Sequence, residues 1–118
     1  MNLDSLNEIA SYIVSEGKGI LAADESNPTC TKRFDSIGVE STEDNRRDYR
    51  ELLFRSTGMK GNIGGVILFD ETIRQKAADG SQLVEVIAAQ GALPGIKVDK
   101  GLKQIGDSAE SLTQGLDG

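Results

Sequence analysis

Two places in the chain set polar side chains directly against short apolar runs, where they could carry acid–base or anion-binding chemistry. The first is Asp24-Glu25-Ser26, which closes the run Gly19-Ile20-Leu21-Ala22-Ala23, with Thr29, Lys32 and Arg33 a little further on. The second is Lys97, flanked by Ile96 and Val98 and followed by Asp99 and Lys100. Strand alternation puts Ile96 and Val98 on one face and Lys97 on the other. A buried lysine is costly unless an anionic partner or ligand compensates it. Lys97 is therefore either an active-site lysine or a lysine on a solvated edge. Asp24 either points into a site and pairs with Lys97 across a sheet, or caps the next turn. Ser26, Thr29 and Arg33 offer hydroxyls and a guanidinium suited to phosphate oxygens, or are ordinary loop residues. Arg46 and Arg47 read as a solvated helix face.

Composition narrows the chemistry. There is no histidine and only one cysteine among 118 residues. Acid–base work must fall to Asp, Glu, Lys or Tyr, and neither a disulfide framework nor a thiol metal cluster is available. No metal and no other cofactor is expected, and Cys30, with no histidine beside it, reads as inert. The net charge is -6 and the basic residues are scattered, whereas nucleic-acid binding needs a dense basic patch. No nucleic-acid partner is expected, although a few cations suffice to hold an anionic small molecule. The nucleotide fingerprints GxGxxG and GxxxxGK[ST] are both missing. Gly64-Gly65 is thus a weak phosphate-loop candidate, and close helix–strand packing accounts for it as well. The opening MNLDSLNEIASYIV has acids early and no basic stretch, unlike a signal peptide, and no apolar run reaches membrane-spanning length. A cytoplasmic setting without membrane contact is expected.

The elements that must position these groups follow from periodicity. Leu3, Leu6, Ile9, Ala10 and Ile13 predict an amphipathic helix over the first sixteen residues or so, ended by Gly17. Residues 19–23 predict a buried strand, and 25–40 a loop with a short helical turn. Ser41 opens a capping pattern for a helix that carries Tyr49, Leu52 and Leu53 on one face, with Arg46, Arg47, Arg50 and Arg55 on others. Ile63–Phe69 is continuous and β-branched, as in a strand covered on both faces of a parallel sheet. Residues 70–78 predict a helix, Ser81 starts another that Gly91 stops, and Gly95–Asp99 predicts a third strand. Gly101–Gly118 predicts a loop. This alternation argues for α/β architecture with a parallel sheet, in which reacting groups gather at the carboxyl ends of the strands.

Read together, Gly17-Lys18-Gly19-Ile20-Leu21-Ala22-Ala23-Asp24-Glu25-Ser26, Glu43-Asp44-Asn45-Arg46-Arg47, Ile63–Phe69, Gly95-Ile96-Lys97-Val98-Asp99-Lys100-Gly101 and Gln114-Gly115-Leu116-Asp117-Gly118 resemble the class I fructose-bisphosphate aldolases in order and spacing. The resemblance implies a (β/α)8 TIM barrel, of which residues 1–118 form the amino-terminal part: an N-terminal helix and the first three βα units, the barrel being incomplete. It implies a metal-free, usually tetrameric lyase that reversibly cleaves fructose 1,6-bisphosphate to dihydroxyacetone phosphate and glyceraldehyde 3-phosphate. A lysine Schiff base serves as the electron sink. By position, Asp24 corresponds to a carboxylate that orients the reacting hydroxyls, and Lys97 to a lysine that contacts substrate oxygens. Ser26, Thr29 and Arg33 fall where the family binds a substrate phosphate, and Arg46 matches an arginine linked to substrate binding. Thr29 stands where serine is common, and Asn27-Pro28 where animal relatives have Thr-Gly. The Schiff-base lysine is implied on the sixth strand and the main acid–base glutamate on the fifth, so these 118 residues alone are expected to be inactive. The alternative is a non-catalytic module that binds a sugar phosphate or a partner chain.

Overall fold

The computed structural model describes residues 3–115. Positions 1–2 and 116–118 lie outside the described residues, and with them the end of the last segment that carries the resemblance. Ser5 starts the first helix with a reciprocal cap: its hydroxyl accepts from the Glu8 N–H, and the Glu8 carboxylate accepts from the Ser5 N–H. Helix α1 is Leu6–Ile13, shorter than the sixteen residues expected. Strand β1 (Gly19–Ala23) follows, then α2 (Asn27–Asp35), α3 (Glu43–Phe54) and β2 (Ile63–Leu68). After β2 come α4 (Leu83–Ala89), β3 (Leu93–Ile96), β4 (Asp99–Gln104) and β5 (Ser111–Gly115).

Strands β1, β2 and β3 form one parallel sheet with β2 in the middle. The fold class is therefore α/β. Val66 and Leu68 of β2 are buried against Phe54 of α3 and Leu83 and Ile87 of α4, which together make the heart of the core. This explains the unbroken apolar run in β2: a central parallel strand has no solvent-facing side for polar residues to occupy.

Four expectations need correction. Residues 25–40 are not a loop with a short turn, because α2 begins at Asn27, immediately after Asp24-Glu25-Ser26. Pro28 lies in its first turn, where a missing N–H costs no hydrogen bond. The cap of α3 is Thr42 rather than Ser41, its hydroxyl accepting from the Asn45 N–H at 3.1 Å. Within 70–78 only Thr72–Arg74 coil, as a single 3-10 turn. Gln75 then turns extended, and its carbonyl accepts from the Leu83 N–H, which draws the chain into α4.

The fourth correction concerns the tail. Residues 101–115 are not a loop: β4 and β5 pair as an antiparallel hairpin, with Leu102 opposite Thr113 and Gln104 opposite Ser111. Nearly every residue of the hairpin is exposed on both faces. A ribbon that buries neither side needs no alternation, so its sequence carries no strand period.

The helix–strand packing reading of Gly64 holds. A Cβ on Gly64 would lie 2.2 Å from the carbonyl oxygen of Ile13, at the end of α1. Replacing Gly64 with alanine is expected to push α1 off β2 and cost about 1–3 kcal/mol. Urea unfolding of the intact polypeptide checks this, and an unchanged midpoint would contradict it.

Candidate active site

Register decides what meets at the carboxyl end of the sheet. Ile20 pairs with Gly65, Ala22 with Ile67, and Ile67 with Gly95. These residues share the face turned away from α3 and α4, because partners in register point the same way, and Ile13 of α1 covers that face at Gly65. Asp24 and Lys97 continue that face one pleat further, on either side of β2. Two strand spacings separate them, about 10 Å of backbone, and the long lysine spans the gap. The Lys97 ammonium lies 3.5 Å from the Asp24 carboxylate. Each side chain keeps roughly a third of its surface exposed, 32% and 31%, so the pair is open to solvent and to a ligand.

Strand β3 ends at Ile96, short of the Gly95–Asp99 strand expected, so the alternation does not run on to Val98 and Asp99. Lys97 is nevertheless fixed by its main chain, whose N–H donates to the Leu68 carbonyl at 2.8 Å. Beside it opens a cleft of about 460 Å³ lined by Ser26, Phe69, Asp70, Lys97, Asp99 and Lys100. Thr29 joins through Ser26, the two hydroxyls lying 3.1 Å apart. Ser26, Thr29, Asp24 and Lys97 are thus brought together.

Arg33 and Arg46 are not. The Arg33 guanidinium donates to Glu25 at 2.7 Å and to the Tyr49 hydroxyl at 3.0 Å, and half of its side chain is exposed. Arg46 does not lie on a solvated face. Its guanidinium grips both carboxylate oxygens of Glu71, at 2.8 and 3.0 Å, and donates to the Ser41 carbonyl at 2.7 Å.

Sequence reasoning missed the partners at this junction. Arg50, expected among the arginines outside the apolar face, is buried, and donates to Glu71 at 2.6 Å and to Gln75 Oε1 at 2.8 Å. Its other arm donates to the Glu25 carbonyl at 3.3 Å. Hydrogen bonds from Arg46, reinforced by Arg50 and opposed by burial, hold the Glu71 carboxyl down at about 2. One signal was available: Arg46 and Arg50 are one helical turn apart, as are Arg50 and Phe54, so one face of α3 carries all three. Cys30 is fully buried, and burial pushes its thiol up, which keeps the proton on and the sulfur unreactive.

The arrangement therefore offers a cation–carboxylate pair, two hydroxyls and a cleft. Among the described residues no cluster of three or more His, Cys, Asp or Glu could hold a metal ion, and no helix is long and apolar enough to cross a membrane.

Comparison with known proteins gives consistent results. The family model described as fructose-bisphosphate aldolase class-I matches residues 5–118. A fructose-bisphosphate aldolase of Drosophila melanogaster is 59% identical over 97% of this chain and 32% of its own. A probable fructose-bisphosphate aldolase class 1 of Xanthomonas axonopodis is 51% identical over 100% of this chain and 36% of its own. The chain thus spans about a third of the length of the curated relatives it matches. Among solved structures, a fructose-bisphosphate aldolase from Plasmodium falciparum, in complex with TRAP and a small-molecule inhibitor, superposes with a TM-score of 0.85. It is 49% identical, and the match covers 91% of this chain and 31% of that one.

Proposed function

Because the chain belongs to the class-I fructose-bisphosphate aldolase family, we propose that the polypeptide it contributes to cleaves fructose 1,6-bisphosphate reversibly into two triose phosphates. The observation that carries this reading is Lys97, which lines the cleft together with Ser26 while its ammonium pairs with Asp24. In this reading Lys97 supplies positive charge to substrate oxygens as they change protonation. Asp24 accepts hydrogen bonds from the substrate hydroxyls and orients them. The Ser26 and Thr29 hydroxyls donate to one phosphate, and Arg33 exchanges Glu25 for the same anion. Arg46 is included by resemblance alone, since its guanidinium is committed to Glu71 and Ser41.

The parallel strands β1, β2 and β3 are read as one arc of a TIM barrel, with the Schiff-base lysine and the acid–base glutamate contributed by later strands. The 118 residues by themselves then supply binding and positioning without turnover. A homotetramer in the cytoplasm is the expected setting of the whole enzyme. The test is the release of glyceraldehyde 3-phosphate from fructose 1,6-bisphosphate by the intact polypeptide in a coupled assay, repeated in excess chelator. Turnover unaffected by the chelator supports the reading. No turnover with correctly folded protein overturns it.

A further inference from the structure

The segment that carries Asp24 and Ser26 is irregular, lying between the end of β1 and the start of α2. Irregular backbone holds a catalytic geometry only where something outside it fixes it. Two buried or half-buried groups grip this segment and the first residue of α2, on either side of Ser26. On one side Arg50 donates to the Glu25 main-chain carbonyl at 3.3 Å. On the other, the Asn27 side-chain amide donates to Glu71 Oε2 at 3.4 Å. Arg50 and Glu71 are themselves joined at 2.6 Å, and Gln75 gives Arg50 a further acceptor at 2.8 Å. Neither Arg50 nor Glu71 lines the cleft beside Lys97.

We propose that Arg50 and Glu71 are positioning residues, a clamp that fixes Glu25 and Asn27 and so aims Asp24 and Ser26 at the Lys97 cleft. The inference rests on the functional reading above and adds residues that act through others. The contact geometry explains why an arginine is required. One guanidinium arm reaches Glu71 and Gln75 while the other reaches the Glu25 carbonyl, and an ammonium cannot span these acceptors together. Each grip on the loop is long for a hydrogen bond, so the hold is cooperative and each half is sensitive to losing the other.

The test uses the intact polypeptide and two variants. Arg50→Lys keeps the charge and removes the fork. Asn27→Ala removes only the far grip and leaves the Arg50–Glu71 pair intact, so it carries the test should Arg50→Lys fail to fold. A purely structural role would lower the fraction of competent molecules, and hence kcat, without moving KM. Positioning predicts that KM for fructose 1,6-bisphosphate rises, about tenfold in Arg50→Lys and about threefold in Asn27→Ala, in protein with a native melting transition. Wild-type KM in folded Asn27→Ala and in folded Arg50→Lys overturns the clamp. Absence of turnover in the wild-type control counts against the functional reading itself, and the clamp falls with it.

Discussion

Replacing Lys97 with methionine in the intact polypeptide is expected to lower kcat/KM for fructose 1,6-bisphosphate by about 10²–10³-fold. The melting temperature should hardly move. Lys97 meets one carboxylate at 3.5 Å, and both side chains stay about a third exposed. Removing the ammonium returns Asp24 to water rather than burying an unpaired charge, so the cost to stability is that of a surface pair, about 1 kcal/mol at most. On the proposed function the cost to catalysis is larger, because the site would lose its cation where substrate oxygens change charge. Asp24→Asn is expected to lose a similar factor, about 10²-fold. The double variant should lose little more than either single one, since the two act as a unit. Steady-state kinetics with purified variants decides. Activity within twofold of wild type in Lys97→Met would make this residue the edge lysine of the alternative reading.

The second large effect concerns stability. Arg50→Met is expected to destabilise the fold by about 1–3 kcal/mol, because Gln75 and Glu71 each lose a buried donor while Arg46 stays paired with Glu71. The same network gives a distinct acid response. The Glu71 carboxyl is held at about 2 against an ordinary 4.5, which corresponds to about 3 kcal/mol of folding stability. The sign follows from the depressed value. The contribution is complete above the unfolded carboxyl's pKa, near 4.5, and is lost as pH falls toward 2. Urea midpoints of the wild type should therefore drop steeply across that window, and those of Glu71→Gln should drop less. Parallel pH profiles for the two proteins would show that Glu71 does not carry the acid sensitivity.

These two expectations also separate what was legible in the sequence from what was not. The sheet was legible because β2 is central: burial on both faces demanded the unbroken apolar run Ile63–Leu68. The Asp24–Lys97 meeting was legible as one of two options, since both follow apolar runs that end at the same edge of a parallel sheet. Helix α3 was legible with part of its inner face. Leu53 packs against the core and Tyr49 meets the buried Phe34 ring edge-on, but Leu52 is 76% exposed, and Arg50 and Phe54 go inside. A buried arginine reads from sequence as a surface one, because its compensating carboxylate lies 21 residues away, just past β2. The hairpin of β4 and β5 was invisible for the opposite reason: exposed on both sides, it imposes no pattern. The reversal at Arg46 comes from the same blind spot as Arg50, both being held by Glu71.

The role given to Lys97, binding and positioning rather than covalent attack, is tested most directly by trapping. The intact polypeptide is incubated with dihydroxyacetone phosphate, reduced with borohydride, digested and mapped by mass spectrometry. One reduced triose-phosphate adduct per chain is expected, on a lysine other than Lys97. An adduct on Lys97, or none in a preparation that turns over substrate, would contradict it.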